Sequence, residues 1–249
     1  MATPTSTFEW ISFLASEYSD MFWQGTLITL GIAFGGTILG FVLGFIGGVI
    51  KDIDIRNDHP AKKVLFQFLK AIVNVYVEIF RDTPMIVQAM VLYYGLRQAG
   101  FEITPIPAAL LVVILNTGAY MTETVRAGIN AVDQGQKEGA WAMGMGTVRT
   151  MMSVILPQAF RNIIPEMGNM FLTNLKMTSV LNVIGVTELF MAAKTSGAVY
   201  YKYFEAYLVI ALIYFVLCFA FNLIFKLIEK WMAGRSDYVL AAEYMMDAQ

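Results

Sequence analysis

Asn116, Tyr120 and Glu123 stand at i, i+4 and i+7 in one largely apolar run, and Thr173, Lys176 and Ser179 stand three apart in another. Helical spacing puts each trio on one face. Ionisable groups in hydrocarbon are expensive and usually face a bundle interior or water, so these faces are the candidates for a hydrophilic path. Glu123 and Lys176 carry the two charge signs that a zwitterionic amino acid needs; pairing with each other, or capping helix ends, is the alternative use. Glu78, Arg81 and Asp82 form a third polar group just before Thr83-Pro84. Glu78 and Arg81 are three apart and able to meet, so an internal ion pair or cap bracing a kink at Pro84 is preferred to substrate contact. The first two faces are thus candidates for guiding a solute and the third group for bracing a helix.

Groups for covalent chemistry do not assemble. The chain contains no Gly-x-x-x-x-Gly-Lys-Ser/Thr phosphate loop, no Gly-x-Ser-x-Gly and no His-Glu-x-x-His, the motifs of ATP binding, a serine nucleophile and a metalloprotease. His59 and Cys218 are each the sole residue of their type, too few for a His/Cys metal site or an internal disulfide. No enzyme activity, cofactor or metal is expected in this chain. The net charge of -2 gives no reason to expect a nucleic-acid partner.

The polar faces need helices that carry them through an apolar solvent. Of the 249 residues, 57% are hydrophobic and only 14% charged, against about 25% charged in a soluble domain. That leaves too little polar surface for a water-soluble globule, so the bilayer is the expected solvent. A crossing helix takes roughly 20 mostly apolar residues, and five segments qualify: 22–50, 64–96, 106–129, 163–193 and 203–228. The expectation is an all-α integral membrane protein of about five transmembrane helices. The second and fourth segments are long and partly polar, with Pro84 and Pro165 as break points, since proline removes a helical donor and clashes with the preceding turn. Gly36, Gly40, Gly44 and Gly48 recur at steps of four in the first segment, a face where a second backbone can approach closely.

The Lys and Arg distribution orients the bundle. With the N-terminus outside, Lys51, Arg56, Lys62, Lys63, Arg126, Lys137, Arg149, Arg161, Lys226, Lys230 and Arg235 fall on the cytoplasmic side, against Arg97, Lys194 and Lys202 outside. Basic residues are retained inside, so the reading is N-terminus out, C-terminus in. Residues 1–21 are then an extracytoplasmic lead. They lack the basic start of a secretory signal, and Phe8, Trp10, Ile11, Phe13 and Leu14 suggest an interfacial helix, with a floppy tail as the alternative. Tyr200, Tyr201, Tyr203, Phe204 and Tyr207 mark an outer aromatic belt and Trp231 the inner end.

The same orientation places a polar, glycine-punctuated stretch, 135–157, in the cytoplasm. Within it Glu138, Ala140, Gly144, Leu156 and Pro157 fall at the spacing of a short loop that resembles the Glu-Ala-Ala loop of bacterial ATP-binding-cassette importer permeases. The run from Glu78 through Arg81-Asp82-Thr83-Pro84 to Gln88 resembles the Glu-Leu-Phe-Arg-Gly-Thr-Pro-Leu-Leu-Val-Gln signature of polar-amino-acid permeases. The stretches 119–129 and 178–189 resemble two further signatures of that family, whose members import histidine, glutamine, glutamate, arginine or cystine. The departures are Gly139 for alanine at the second position of the loop, Val154 for isoleucine and Asp82 for glycine. Glycine in a helix interior costs about 1 kcal/mol against alanine, so the coupling helix is expected to be less rigid than its counterparts.

The resemblance implies a type I importer transmembrane domain over 22–230 and a cytoplasmic tail over 231–249. It also implies a location in the bacterial cytoplasmic membrane. It implies a second permease chain, identical or related, two cytoplasmic ATPase subunits that hold ATP and Mg, and an extracytoplasmic solute-binding protein that delivers a polar amino acid. These partners are expected as separate chains. Glu138, Gly139, Ala140, Gly144, Leu156 and Pro157 would form the coupling element that touches the ATPase. The competing reading is an ion-gradient-driven secondary amino acid transporter, which would show paired internal repeats; no second copy of any span is seen. A third, a membrane-embedded assembly or sensor subunit, would make the intramembrane polar residues structural only.

Overall fold

The computed structural model describes residues 4–52 and 60–233. Arg56, His59, Arg235, the Lys62 side chain and the tail beyond residue 233 lie outside the described residues. Every regular element among the described residues is helical. Helix α1 (Thr7–Glu17) begins in a capping box: Glu9 N donates to Ser6 Oγ at 3.3 Å, and the Glu9 carboxylate accepts from the Thr5 and Ser6 amides at 2.7 and 3.3 Å. Those bonds, the Thr5 amide foremost, hold the Glu9 carboxyl below its usual range. Leu14 is fully buried, and the rings of Trp10 and Phe13 pack on Tyr200 at 5.4 and 5.5 Å. The lead is therefore a docked helix.

Helices α2 (Ser19–Asp52) and α5 (Pro105–Asn130) form the spine. The glycine face of α2 lies directly on α5. A Cβ on Gly36 would sit 2.3 Å from Val113, on Gly40 2.6 Å from Thr117, on Gly44 2.4 Å from Met121 and on Gly48 2.6 Å from Val125. No side chain fits there, so the backbones touch, as four-residue glycine spacing permits. Between them come α3 (Pro60–Asp82) and α4 (Met85–Gln98), separated at Thr83-Pro84.

After α5 the chain forms α6 (Gln134–Ala142), the single turn α7 (Thr147–Thr150) and a π-helical turn, Met151–Ile155, that runs into α8 (Leu156–Met177). Pro165 lies inside α8, which continues through it; the break expected there occurs further on. A 3-10 segment, Thr178–Ile184, ends at Gly185, whose φ of 87° is a left-handed conformation that glycine adopts without a Cβ penalty. The chain then turns by 56° into α9 (Leu189–Tyr200). Helix α10 (Tyr203–Ala233) follows, with Leu212, Phe215, Val216, Phe219 and Leu223 exposed along it. That row is a surface for lipid.

Among the described residues α2, α5 and α10 are long and apolar enough to cross a membrane alone, and the bent assembly ending in α9 makes a fourth as a broken span. The segment expected as the second span, 64–96, is α3 and α4 together. Its polar positions and its interruption at Pro84 keep either helix from qualifying alone by length and apolarity.

Candidate functional site

The break between α3 and α4 shows how the polar residues before Pro84 are used. Phe80 O would bond the amide of residue 84 in an unbroken helix, but proline has no N–H. Gln88 Nε2 takes that carbonyl at 2.9 Å, together with Thr83 O and Thr83 Oγ1, each at 2.9 Å. Asn116 Nδ2, from α5, donates to Phe80 O at 3.1 Å and to Gln88 Oε1 at 3.0 Å. Thr83 Oγ1 donates to Ile79 O at 2.6 Å. Side chains thus replace the helical bonds lost at the proline, as intramembrane breaks require. The expected Glu78–Arg81 pair is not formed: Arg81 lies over the Tyr120 ring, 5.4 Å from its centroid, and Glu78 stays exposed. The kink is held by amides and hydroxyls, which bond orphaned carbonyls directly; a salt bridge would leave them unpaired.

Glu123 and Lys176 do not meet. The Glu123 carboxylate is bonded to the Lys51 ammonium at the end of α2 and to Arg126 Nε at 3.0 Å. Both oxygens are engaged, so Glu123 is not free to face a substrate ammonium. Lys176 instead lines a cavity of about 310 Å³ with Ser179, Phe190, Tyr207, Ile210, Ala211 and Tyr214. The Thr173 hydroxyl donates back to Asn169 O within α8, and the Ser179 hydroxyl, in the 3-10 segment, to Lys176 O.

Three exposed polar rows remain in the bundle. On α8, Asn162, Glu166, Asn169, Thr173 and Lys176 are all exposed at steps of four and three, one continuous helical face. On α5 the exposed Tyr120 and Asn130 continue the row of half-buried Asn116 and Glu123, and on α3 Gln67, Asn74, Glu78 and Asp82 are exposed. Such faces are incompatible with lipid and need water or a polar partner. The opposite side of α8 is pinned: buried Asn174 donates through Nδ2 to Thr37 Oγ1 and Thr117 Oγ1, each at 2.9 Å. This three-helix junction keeps the polar row of α8 turned outward.

Beyond α5, Asp133 caps α6 by accepting from Gly135 N at 2.7 Å. Ala140 is the residue of α6 that is buried, Glu138 is exposed and Gly139 has open space where a Cβ would be. Gly144 follows the helix end at φ 78°, the left-handed residue that commonly stops a helix. Trp141, Met143 and Val148 are exposed around it. Leu156 is buried in a cluster with Val125, Ile129, Val132, Ile155, Ala159 and Ile163, while Pro157 is exposed at the start of α8.

Sequence reasoning underrated Gln88, Lys51 and Glu188. A glutamine four residues beyond an intrahelical proline is a signal, because one carbonyl there has lost its donor. Lys51 was legible only as a marker of the cytoplasmic side, since its partner lies 72 positions away. Glu188 is fully buried and accepts from the amides of Phe190 and Met191 at 2.8 and 2.9 Å, capping α9.

A bundle of apolar helices with outward polar rows, and a short exposed helix below it, has the architecture of a membrane transport component. A family model of binding-protein-dependent transport system inner membrane components matches residues 61–234, and the chain belongs to that family. It is 38% identical over 208 residues to the arginine transport system permease protein ArtQ of Bacillus subtilis (strain 168), covering 83% of this chain and 90% of that one. It is 36% identical over 231 residues to the probable amino-acid permease protein YxeN of the same organism, covering 92% and 97%. A crystal structure of an amino acid ABC transporter with histidines matches with a TM-score of 0.79 at 33% identity, over 92% of this chain and 99% of that chain.

Proposed function

We propose that the chain is the permease subunit of an ATP-binding-cassette importer for a polar amino acid, in the bacterial cytoplasmic membrane, with its N-terminus outside and its C-terminus in the cytoplasm. The observation that carries this reading is the exposed row Asn162, Glu166, Asn169, Thr173 and Lys176, a polar wall on the helix that follows the α6 region in the chain. A second permease chain facing that wall would close a hydrophilic path between the two subunits. Residues 22–230 form the transmembrane domain in this reading. Lys176 is suited to a substrate carboxylate, beside the aromatic rings of its cavity. The ion-gradient alternative is not favoured by membership in a binding-protein-dependent family.

Energy enters from below. Two separate ATPase subunits hold ATP and Mg, and α6 docks on them through Glu138 and the apolar group of Trp141, Met143 and Val148. Gly139 leaves room for a close approach, Ala140 seats the helix on the bundle, Gly144 ends it, and Leu156 with Pro157 joins it to α8. A solute-binding protein delivers the amino acid from outside. The test is ATP-driven uptake in proteoliposomes holding permease, ATPase and receptor. Gly144→Val forces a β-branched residue to φ 78°, a strain of about 1–3 kcal/mol, and Glu138→Ala removes the docking carboxylate. Each is expected to lower uptake by about tenfold while the permease stays folded. Full uptake in both variants sinks the coupling assignment.

Orientation has its own test. Cysteine is placed at Arg149 or at Lys202 in a Cys218→Ser background and probed in intact cells with a membrane-impermeant thiol reagent. Position 202 is expected to label at once and position 149 only after permeabilisation. The reverse pattern inverts the topology.

A further inference from the structure

The cytoplasmic end of α2 carries two adjacent charges with partners on two different elements. Lys51 bonds Glu123 on α5, and Asp52 pairs with Lys137 on α6, Nζ to Oδ2 at 3.8 Å. The side chains are largely withdrawn from solvent, Lys51 and Glu123 to 16% and 20% exposure, Lys137 and Asp52 to 21% and 10%. Arg126 extends the row from the other side of Glu123. The result is a charged chain running Lys137, Asp52, Lys51, Glu123, Arg126, from the short helix to the spine of the bundle.

The packing around it makes this chain mechanically significant. Helices α2 and α5 touch backbone to backbone along the glycine face. Phe45 on α2 stacks on Phe160 of α8 at 5.5 Å, and Phe41 and Val49 join the cluster of Val125, Ile129, Ile155 and Leu156. The inner ends of α2, α5 and α8 are thus one packed body. Helix α6 is attached to it far more lightly. Only Ala140 of its nine residues is buried, and a short link, residues 131–133, ties it to α5. Short links at its two ends, residues 131–133 to α5 and 143–146 to α7, leave a short helix free to roll about its own axis. A side-chain contact to a different element, α2, fixes that rotation.

The geometry points to Asp52 as a positioning residue: its pair with Lys137 orients α6 against the α2–α5 body, so that movement of α6 turns the body instead of being lost as rotation about its two end links. Lys51 and Glu123 anchor the same end of α2 to α5, so the load reaches both spine helices. This rests on the reading of α6 as the ATPase contact, and it assigns Glu123 to force transmission where its spacing had suggested substrate binding.

The experiment uses the full complex in proteoliposomes and reads three quantities: co-purification of the ATPase, basal ATP hydrolysis, and amino acid imported per ATP hydrolysed. Asp52→Asn is expected to keep the first two and to lower the third by about fivefold or more, the low end for coupling between sites. Lys137→Met, which keeps the length of the side chain, should lower the ratio in the same way. Exchanging the charges, Asp52→Lys with Lys137→Asp, should restore it. An unchanged ratio in the single variants overturns the proposal, as does loss of the ATPase from the complex, which marks a merely structural pair. Failure of the exchange to restore the ratio overturns it too. If the unmodified complex shows no ATP-driven uptake, the importer reading itself fails and the proposal falls with it; that result is distinct from every variant-specific one.

Discussion

Gly44→Ala is expected to lower the melting temperature of the detergent-solubilised permease by several degrees and to cut its yield from the membrane. The added Cβ would lie 2.4 Å from the Met121 Cβ and 2.8 Å from the Gly118 carbonyl oxygen, distances that real Cβ atoms do not show. Met121 is almost fully buried, and the obstructing atoms are its own Cβ and a backbone oxygen, so no flexible tip can yield. Helices α2 and α5 must separate, and overpacking of this kind costs about 1–3 kcal/mol, sometimes more. The Asn174 bonds to Thr37 and Thr117 stretch with them, which adds to the loss. Gly31→Ala is the control, because nothing lies within 4 Å of a Cβ there. It should leave the melting temperature unchanged or slightly raised, since alanine is the better helix former. Equal melting temperatures for Gly44→Ala and Gly31→Ala would refute the close backbone contact.

That glycine face was legible without coordinates, and the reason is local: a period of four on a helix is a surface property that one segment displays by itself. The same holds for the apolar runs and for Pro84 as a break. What escaped were pairings across the bundle. Glu123 carries a charge that its own helix matches only through Arg126; whether its second partner is Lys176 or Lys51 depends on how helices are arranged in three dimensions. Lys51 wins because α2 lies flush on α5 and delivers its last turn to that level. Asn116 shared a helical face with Tyr120 and Glu123, and the face alone could not reveal that its amide is used up at Phe80 and Gln88. Pro165 misled for a physical reason as well. A proline removes one donor, and a long helix tolerates that where its neighbours hold it, as Ile163 and Gly168 do by burial on either side. The bend needs a residue able to take positive φ, and that residue is Gly185.

Glu188 sits where this bend is secured, and removing it should have a large effect. Its carboxylate accepts from Phe190 N and Met191 N at 2.8 and 2.9 Å, one on each oxygen, and from Tyr214 OH at 3.3 Å. The next amide, Leu189 N, donates to Thr29 Oγ1 at 3.3 Å. The start of α9 is therefore tied to α2 by Thr29 and to α10 by Tyr214, and Gly25 lets it approach, its Cβ position being 3.0 Å from Leu189 Cα. Glu188→Ala leaves two partly buried helix amides without their acceptors, at about 1–3 kcal/mol for each unsatisfied group, and takes one of its partners from the Tyr214 hydroxyl. We expect a fall in melting temperature of about 5 °C or more, and loss of uptake as the broken span of α8 and α9, whose α8 part carries the polar wall, loses its shape. Glu188→Gln has one carbonyl oxygen in place of two, so it should fall between alanine and the native residue in both measurements. Tyr214→Phe removes one donor and spares both amides, so it should be milder than Glu188→Ala. The order native, Tyr214→Phe, Glu188→Gln, Glu188→Ala follows from counting unpaired groups. A Glu188→Ala protein that melts with the native one would show that the cap does not hold the bend, and the docking of α9 would have to rest on the apolar contacts of Leu189, Ala192 and Ala193 with Val209 and Ile210.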